Sequence, residues 1–147
     1  SKGDKINVTA DMLSTDDQEP SEGPIKNLVD GNYNSFFHTR WSSPQKPLPQ
    51  YIQVDFKEAH QVFMFWYRNR NGSQVGPENL DIQISNDGEN WNIPLRVSMP
   101  ANHSLISVWL LPRPSATRTT STLQSLQYSM PTRWYMIRRM NKNENKD

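Results

Sequence analysis

The chain has 147 residues and a formal net charge of +1, so it is long enough for one domain with its own core and gives no general electrostatic case for binding nucleic acid. It contains no cysteine, which excludes disulfides, a thiol nucleophile and a cysteine-ligated zinc site. Five Trp, five Tyr and five Phe favour strands, and eleven Pro disfavour long helices. The composition therefore predicts an all-β domain.

The first third of the chain predicts little regular structure. Residues 5–9 are a first strand candidate, and residues 11–24 are acidic and rich in turn formers, which indicates a surface loop. Residues 25–32 form a short apolar segment that ends in a tight turn. Residues 42–50 contain three prolines, which excludes a central strand there.

The rest of the chain predicts strands separated by turns. Alternating apolar residues indicate half-buried strands over 51–56 and 80–84, with a turn at 57–60. Residues 62–67 are apolar on both faces, which predicts a central strand covered on both sides, followed by a polar loop over 68–79. An Asp-Gly pair within 85–91 predicts a hairpin. Residues 105–111 are predicted as a further strand or a buried apolar segment and residues 133–140 as the last strand, with a loop at 112–122 between them and a polar tail at 141–147. This spacing indicates a sandwich or barrel in one domain over residues 1–147.

Signals of catalysis are weak. His38, His60 and His103 do not have the spacing of a metal site, and no nucleophile elbow or glycine-rich phosphate loop is present. Asp16 and Asp17 lie in the acidic loop, which is a poor place to hold two carboxylates at a fixed separation. The sequence therefore predicts a non-catalytic module.

Five segments, taken in order, resemble the discoidin family, the coagulation factor V/VIII C-type domains. They are LVDGN at 28–32, FFHTRWS at 36–42, YIQVDF at 51–56, FMFWYRNR at 63–70 and SNDGENW at 85–91. Each is common alone, but the ordered set between residues 22 and 91 is specific. The resemblance implies a galactose-binding-like jelly-roll β-sandwich of about eight antiparallel strands, with binding loops at one end. Because RWYMIR at 133–138 is similar to the family's penultimate strand, it also implies a chain truncated at its C-terminal strand or a sheet closed in another way.

The sugar-binding branch of this family, similar to family 32 carbohydrate-binding modules, implies a glycan site. In that branch a His and an Arg hydrogen-bond sugar hydroxyls, and an aromatic ring stacks on the apolar face of the sugar. His38 stands three residues before Trp41, as the family's His does, and the arginine is Arg70 by its spacing from His38 or Arg68, which would share a strand face with Arg70. The ordinary alternatives are a buried histidine capping its loop, a tryptophan that plugs the loop base, and a solvated pair of arginines.

Two further positions match the family less closely. The family's Asn is replaced by Val75, with Asn71 nearby, which argues against galactose specificity and for another hydroxyl pattern or another ligand. Glu22 stands near the position of the family's acid, but in a loop already rich in acids, where a solvated carboxylate is the ordinary alternative.

The turn from Asp30 to Asn32, together with Ser35, resembles the family's structural calcium loop. Calcium takes about six to eight oxygen ligands, and the sequence supplies few side-chain donors here. A metal-free Asx turn is therefore the alternative to a structural Ca²⁺ ion.

These observations predict a glycan-binding module of a secreted or surface-anchored protein, with other domains of a larger protein as partners and no nucleic acid. The start at Ser1 resembles the position just after the lipidated cysteine of bacterial lipoproteins, which predicts an extracellular, cell-surface or periplasmic domain held to the membrane only by a lipid anchor. A protein-interaction or structural discoidin domain without a sugar site is the main alternative. Direct lipid binding is disfavoured, because the proline-rich loop offers only Lys46 and Leu48.

Overall fold

The computed structural model describes residues 4–44, 47, 49–68, 79–92, 94–98, 105–110 and 128–139. Within them lie seven strands, β1 (Leu13–Thr15), β2 (Gln50–His60), β3 (Met64–Arg68), β4 (Asn79–Ser85), β5 (Leu95–Ser98), β6 (Leu105–Trp109) and β7 (Thr132–Arg139). Two short 3₁₀ helices cover Ala10–Met12 and Ile25–Val29. The all-β prediction is confirmed. No helix in the described part of the chain is long and apolar enough to span a membrane.

The described strands form two antiparallel sheets, one of five strands in the order β1-β2-β7-β4-β5 and one that pairs β3 with β6. Strand β7 lies at the centre of the larger sheet, where Ile137 stands opposite Ile52 of β2 on one side and Ile82 of β4 on the other. The last predicted strand therefore pairs with two strands that come much earlier in the chain.

The core lies against the larger sheet. Leu80, Ile82 and Ile84 alternate along β4 and are each at most 2% exposed, as their spacing predicts. Tyr128 is completely buried, and its hydroxyl donates a hydrogen bond of 2.6 Å to the Ile82 carbonyl. Asp81, on the other face of β4, is also buried, and it accepts two hydrogen bonds from the Arg96 guanidinium at 2.8 and 3.0 Å. A buried carboxylate of this kind needs such a partner.

The strands predicted at 51–56, 80–84, 105–111 and 133–140 are confirmed as β2, β4, β6 and β7. The predicted hairpin is also confirmed, because β4 pairs with β5, although β5 itself was not predicted and the connection is longer than the Asp-Gly turn. The predicted loop at 112–122, the tail at 141–147 and most of the loop at 68–79 lie outside the described residues.

Two predictions about the first strands are wrong. Residues 5–9 form no strand, and the first strand is β1, which lies inside the segment predicted as a surface loop and places Leu13 opposite Val54. The predicted turn at 57–60 is strand, because β2 continues to His60. A register shift between Asp55 and His60, with Lys57 at a φ of 67°, takes the place of the turn.

The strand predicted at 62–67 is confirmed as β3, but the cover predicted on both of its faces is wrong. Among the described strands β3 pairs only with β6, and the Trp66 side chain on β3 is 52% exposed. Apolar residues on both faces of this strand therefore do not indicate a covering layer on each side.

The start of β2 is hydrogen-bonded to the end of β1 and to the loop that follows it. The Tyr51 N–H donates to the Asp16 carboxylate at 3.0 Å, and the Thr15 hydroxyl donates to the Tyr51 carbonyl at 2.8 Å. These contacts fix residues 15–16 to the first residues of β2. The candidate site residues lie in the loops at this end of the sheet.

Candidate functional site

Two loops, residues 16–24 and 36–42, are hydrogen-bonded to each other along their backbones; we call them the paired loops. The Glu19 N–H donates to the His38 carbonyl at 3.1 Å, and the His38 N–H donates to the Gly23 carbonyl at 2.9 Å. The Arg40 N–H donates to the Asp17 carbonyl at 3.1 Å. The paired loops are therefore one structural unit, and this unit contains three of the predicted ligand-binding residues, His38, Trp41 and Glu22.

Gly23 allows the close approach of the paired loops. It is buried and has a φ of +62°, a backbone conformation that a residue with a side chain rarely adopts. A Cβ atom at this position would lie 2.7 Å from the backbone nitrogen of His38 and 3.0 Å from the His38 Cβ. The position of His38 thus depends on the absence of a side chain at residue 23.

The imidazole of His38 is half-buried and oriented by its neighbours. Its Nδ1 lies 2.6 Å from the Thr39 carbonyl oxygen, and the Phe36 ring contacts it edge-on with a centroid distance of 6.4 Å. Because a carbonyl oxygen can only accept, Nδ1 carries the proton in this contact. In the neutral ring the lone pair is then on Nε2, which can accept a hydrogen bond from a hydroxyl group.

Trp41 is an exposed aromatic residue held at two points. Its side chain is 54% exposed. The indole Nε1–H donates to the Glu22 carboxylate at 2.9 Å, and the backbone N–H donates to the Glu19 carboxylate at 3.0 Å. Glu22 and Trp41, both predicted as site residues, are therefore in direct contact, and the alternative of a wholly solvated Glu22 carboxylate does not apply.

Glu19 is a buried carboxylate that sequence reasoning missed. It is 2% exposed, and it accepts hydrogen bonds from the Ser42 N–H at 3.0 Å and the Ser21 hydroxyl at 2.9 Å as well as from Trp41. Burial acts to raise the pKa of Glu19, but the hydrogen bonds from Ser42, Ser21 and Trp41 outweigh it and lower the pKa to about 2. The carboxylate is therefore ionised at neutral pH.

Arg68 lies at the end of β3 and stacks on an exposed tyrosine. Its Cζ atom is 4.5 Å from the centroid of the Tyr33 ring, and Tyr33 is 65% exposed. This cation–π contact orients the guanidinium without using its donors. Tyr33 was not predicted as a site residue, and its only sequence signal is an aromatic residue within a polar turn. Arg70 and Asn71 lie outside the described residues.

The predicted calcium loop closes on itself. One oxygen of the Asp30 carboxylate accepts the Asn32 N–H at 2.8 Å, and the other accepts the Ser35 hydroxyl at 2.6 Å. These bonds, first that from Ser35, lower the pKa of Asp30. Among the described residues no three His, Cys, Asp or Glu side chains cluster as metal ligands. Both oxygens of the Asp30 carboxylate thus accept hydrogen bonds within the loop. Calcium binding stays a prediction.

The comparison with protein families identifies the chain. The F5/8 type C domain model matches residues 12–118. The chain belongs to this family. The predicted discoidin resemblance is thus confirmed over most of its length. The domain is 26% identical over 94 residues, 63% of the chain, to a sialidase from Micromonospora viridifaciens, and it covers only 14% of that protein. It therefore corresponds to a small part of this curated relative.

Solved structures of bacterial proteins share the fold. The C-terminal domain of a chitobiase from Bacteroides fragilis superposes with a TM-score of 0.71 at 21% identity, over 95% of this chain and 87% of that one. A family 32 carbohydrate-binding module from Clostridium perfringens, in complex with GalNAc-β-1,3-galactose, superposes with a TM-score of 0.68 at 20% identity, over 88% and 83%. These likenesses show the fold, and they confirm the predicted galactose-binding-like β-sandwich.

Proposed function

We propose that this F5/8 type C domain is a non-catalytic glycan-binding module, and that it binds its ligand at the paired loops. The observation that carries the proposal is Trp41, which is more than half exposed although two carboxylates hold it. Glu22 binds its indole N–H and Glu19 its backbone N–H, in the same paired loops that contain the oriented His38 imidazole. A pyranose presents a patch of C–H bonds next to paired hydroxyls, so it needs an exposed ring beside fixed polar groups.

Each site residue would have a distinct role in such a complex. The Trp41 ring would stack on the C–H face of one sugar, and His38 Nε2 would accept a hydrogen bond from a hydroxyl of the same sugar. The Arg68 guanidinium, or that of Arg70, would donate to neighbouring hydroxyls, and Glu22 would add an acceptor while it holds the indole. Stacking contributes affinity here, and the polar groups select the hydroxyl pattern.

The related proteins support a role within a larger protein. The domain covers 14% of the sialidase it matches, and a family 32 module of the same fold binds GalNAc-β-1,3-galactose. We infer that the domain holds an extracellular, surface or periplasmic protein near glycans and that the protein's chemistry lies in other domains. One such site binds weakly alone and gains through multivalency or tethering. Because Val75 replaces the family's Asn, the ligand need not be galactose.

A glycan array tests the proposal. The 147-residue chain would be compared with its His38→Ala and Trp41→Ala variants and with His60→Ala as the matched control. His60 is also half-buried and also contacts a phenylalanine ring, but it lies at the other end of β2, so its removal should leave binding intact. Thermal unfolding of each variant would confirm that it is folded.

We expect the wild type and His60→Ala to bind the same glycans and the other two variants to lose them. If both His38→Ala and Trp41→Ala bind as tightly as the wild type, the proposed site is wrong. If the wild type binds no glycan on the array, the glycan proposal fails and a protein-interaction domain becomes the better explanation.

A further inference from the structure

We propose that Glu19 is the positioning residue of the candidate site, whose buried carboxylate fixes the Trp41 backbone and so presents the exposed indole in its binding orientation. This inference rests on the proposed function for its effect on affinity. Glu19 is not among the residues that the family resemblance assigns to a site, and it contacts the site through Trp41.

The Glu19 carboxylate is surrounded by hydrogen-bond donors. One carboxylate oxygen accepts two successive backbone N–H groups, those of Trp41 and Ser42, each at 3.0 Å. The other oxygen accepts the Ser21 hydroxyl at 2.9 Å. Charge-assisted hydrogen bonds to backbone amides are stronger than neutral ones, and their directions fix the peptide plane. The carboxylate therefore determines how the chain turns at residues 41–42.

Hydrogen bonds have to orient Trp41, because the packing around it is too limited to do so. With 54% of the side chain exposed, packing supplies less than half of the contact area available to a buried tryptophan. The bond from its indole to Glu22 holds the ring, and the bond from its backbone N–H to Glu19 holds the main chain from which the ring projects. A tryptophan held both at its ring and at its main chain loses less conformational freedom on binding than a free one.

Glu19 would act on affinity and leave ligand preference unchanged. It is 2% exposed, and both of its oxygens already accept hydrogen bonds, so a sugar hydroxyl cannot reach it. In Glu19→Gln one oxygen is replaced by an NH₂ group and the negative charge is lost. The bonds from the Trp41 and Ser42 N–H groups become neutral and weaker, even where the remaining oxygen faces them and the NH₂ group donates to the Ser21 hydroxyl. We expect roughly two- to tenfold weaker binding to every glycan the wild type binds, which is the cost of immobilising one freed side chain. The rank order of glycans should stay the same.

The experiment compares the wild type with Glu19→Gln and with Asp81→Asn, using the 147-residue chain labelled with ¹⁵N-tryptophan. Asp81 is an equally buried carboxylate, 3% exposed, but its partner is Arg96 on β5, so it controls for the loss of a buried charge. The Trp41 backbone and indole signals would be assigned by their disappearance in Trp41→Phe. Their shifts and their rates of hydrogen exchange would be measured, and affinities for glycans taken from the array would be measured by calorimetry.

We expect Glu19→Gln to move both Trp41 signals, to speed exchange of the Trp41 backbone amide and to weaken binding, while Asp81→Asn leaves the Trp41 signals and the affinity unchanged. Unchanged exchange at Trp41 in Glu19→Gln would overturn the inference, and so would a loss of affinity no greater than that in Asp81→Asn. If Glu19→Gln does not fold, Ser21→Ala replaces it, since this variant removes one bond to Glu19 and should move the Trp41 signals in the same direction by less. The exchange measurement needs no ligand. A wild type that binds no glycan would thus count against the proposed function, and the Trp41 exchange rates would still decide the role of Glu19.

Discussion

Replacing Gly23 by alanine should destabilise the paired loops through two separate effects. The first is conformational, because residue 23 has a φ of +62°. The second is steric, because the new Cβ would lie 2.7 Å from the backbone nitrogen of His38. A backbone atom cannot rotate away as the end of a side chain can, so either the contact with His38 opens or the loop backbone shifts.

The size of each effect can be worked out separately. A left-handed conformation costs an L-residue about 1–2 kcal/mol relative to glycine. Forcing an extra methyl group into a packed region costs about 1–3 kcal/mol. Gly23→Ala should therefore lower the free energy of unfolding by about 2–5 kcal/mol, which for a domain of this size lowers the melting temperature by roughly 5–15 °C.

Gly31→Ala provides the matched control. Gly31 has a φ of +75°, but no atom lies within 4 Å of the Cβ it would gain. Only the conformational term applies, so we expect a loss of about 1–2 kcal/mol. Urea and thermal unfolding of the two variants would measure both values. Equal losses in the two variants would refute the reasoning, because they would mean that the approach of residue 23 to His38 adds nothing to stability.

Two further predictions concern charge. Hydrogen bonds from Arg133, the largest cause, lower the pKa of the Asp55 carboxyl from 3.8 to about 2. The contribution of Asp55 to stability should therefore be complete above pH 4 and lost as the pH falls towards 2. In acid unfolding experiments Asp55→Asn should make stability less dependent on pH in this range, and an unchanged pH dependence would contradict the role given to Asp55. A calcium ion at the Asp30 loop would stabilise the fold by about 2.7 kcal/mol at a free concentration one hundred times its Kd. Melting temperatures should therefore be higher in calcium than in chelator, and Asp30→Asn should remove the difference. Equal melting temperatures of the wild type in calcium and in chelator would exclude a structural calcium there.

The strands could be predicted where burial is one-sided and the segment is long enough to show a period. Strand β4 satisfies both conditions, since Leu80, Ile82 and Ile84 all face the core. Strand β1 has only three residues, too few for a period, and it exists because β2 offers it a partner. The residues after Asp55 have the composition of a turn, but the Asp55 carboxylate accepts the Lys57 N–H at 2.8 Å and lets the strand continue through an irregular register.

The site could be predicted in part, for a related reason. The motif spacing indicated His38, Trp41 and Glu22, and the structure places these three residues in the paired loops. No pattern indicated that Glu19 is buried, because its partners lie 22 and 23 residues later in the chain and its neighbours are acidic and turn-forming. A polar residue that is buried by a distant loop leaves no local signal in the sequence.

This division has a consequence for how the domain would acquire new ligands. Gly23 and Glu19, which hold the site, lie on one of the paired loops, whereas His38 and Trp41, which would contact the sugar, lie on the other. Because each contact residue is fixed by a partner across the loop pair, the stacking ring and the imidazole keep their positions only while both loops are retained. Arg68 lies at the end of β3 and is held separately, by its contact with the Tyr33 ring. If Arg68 donates to sugar hydroxyls as proposed, changes around it would alter the recognised hydroxyl pattern without disturbing the position of the Trp41 ring, and this is where we expect ligand specificity to differ among domains of this fold.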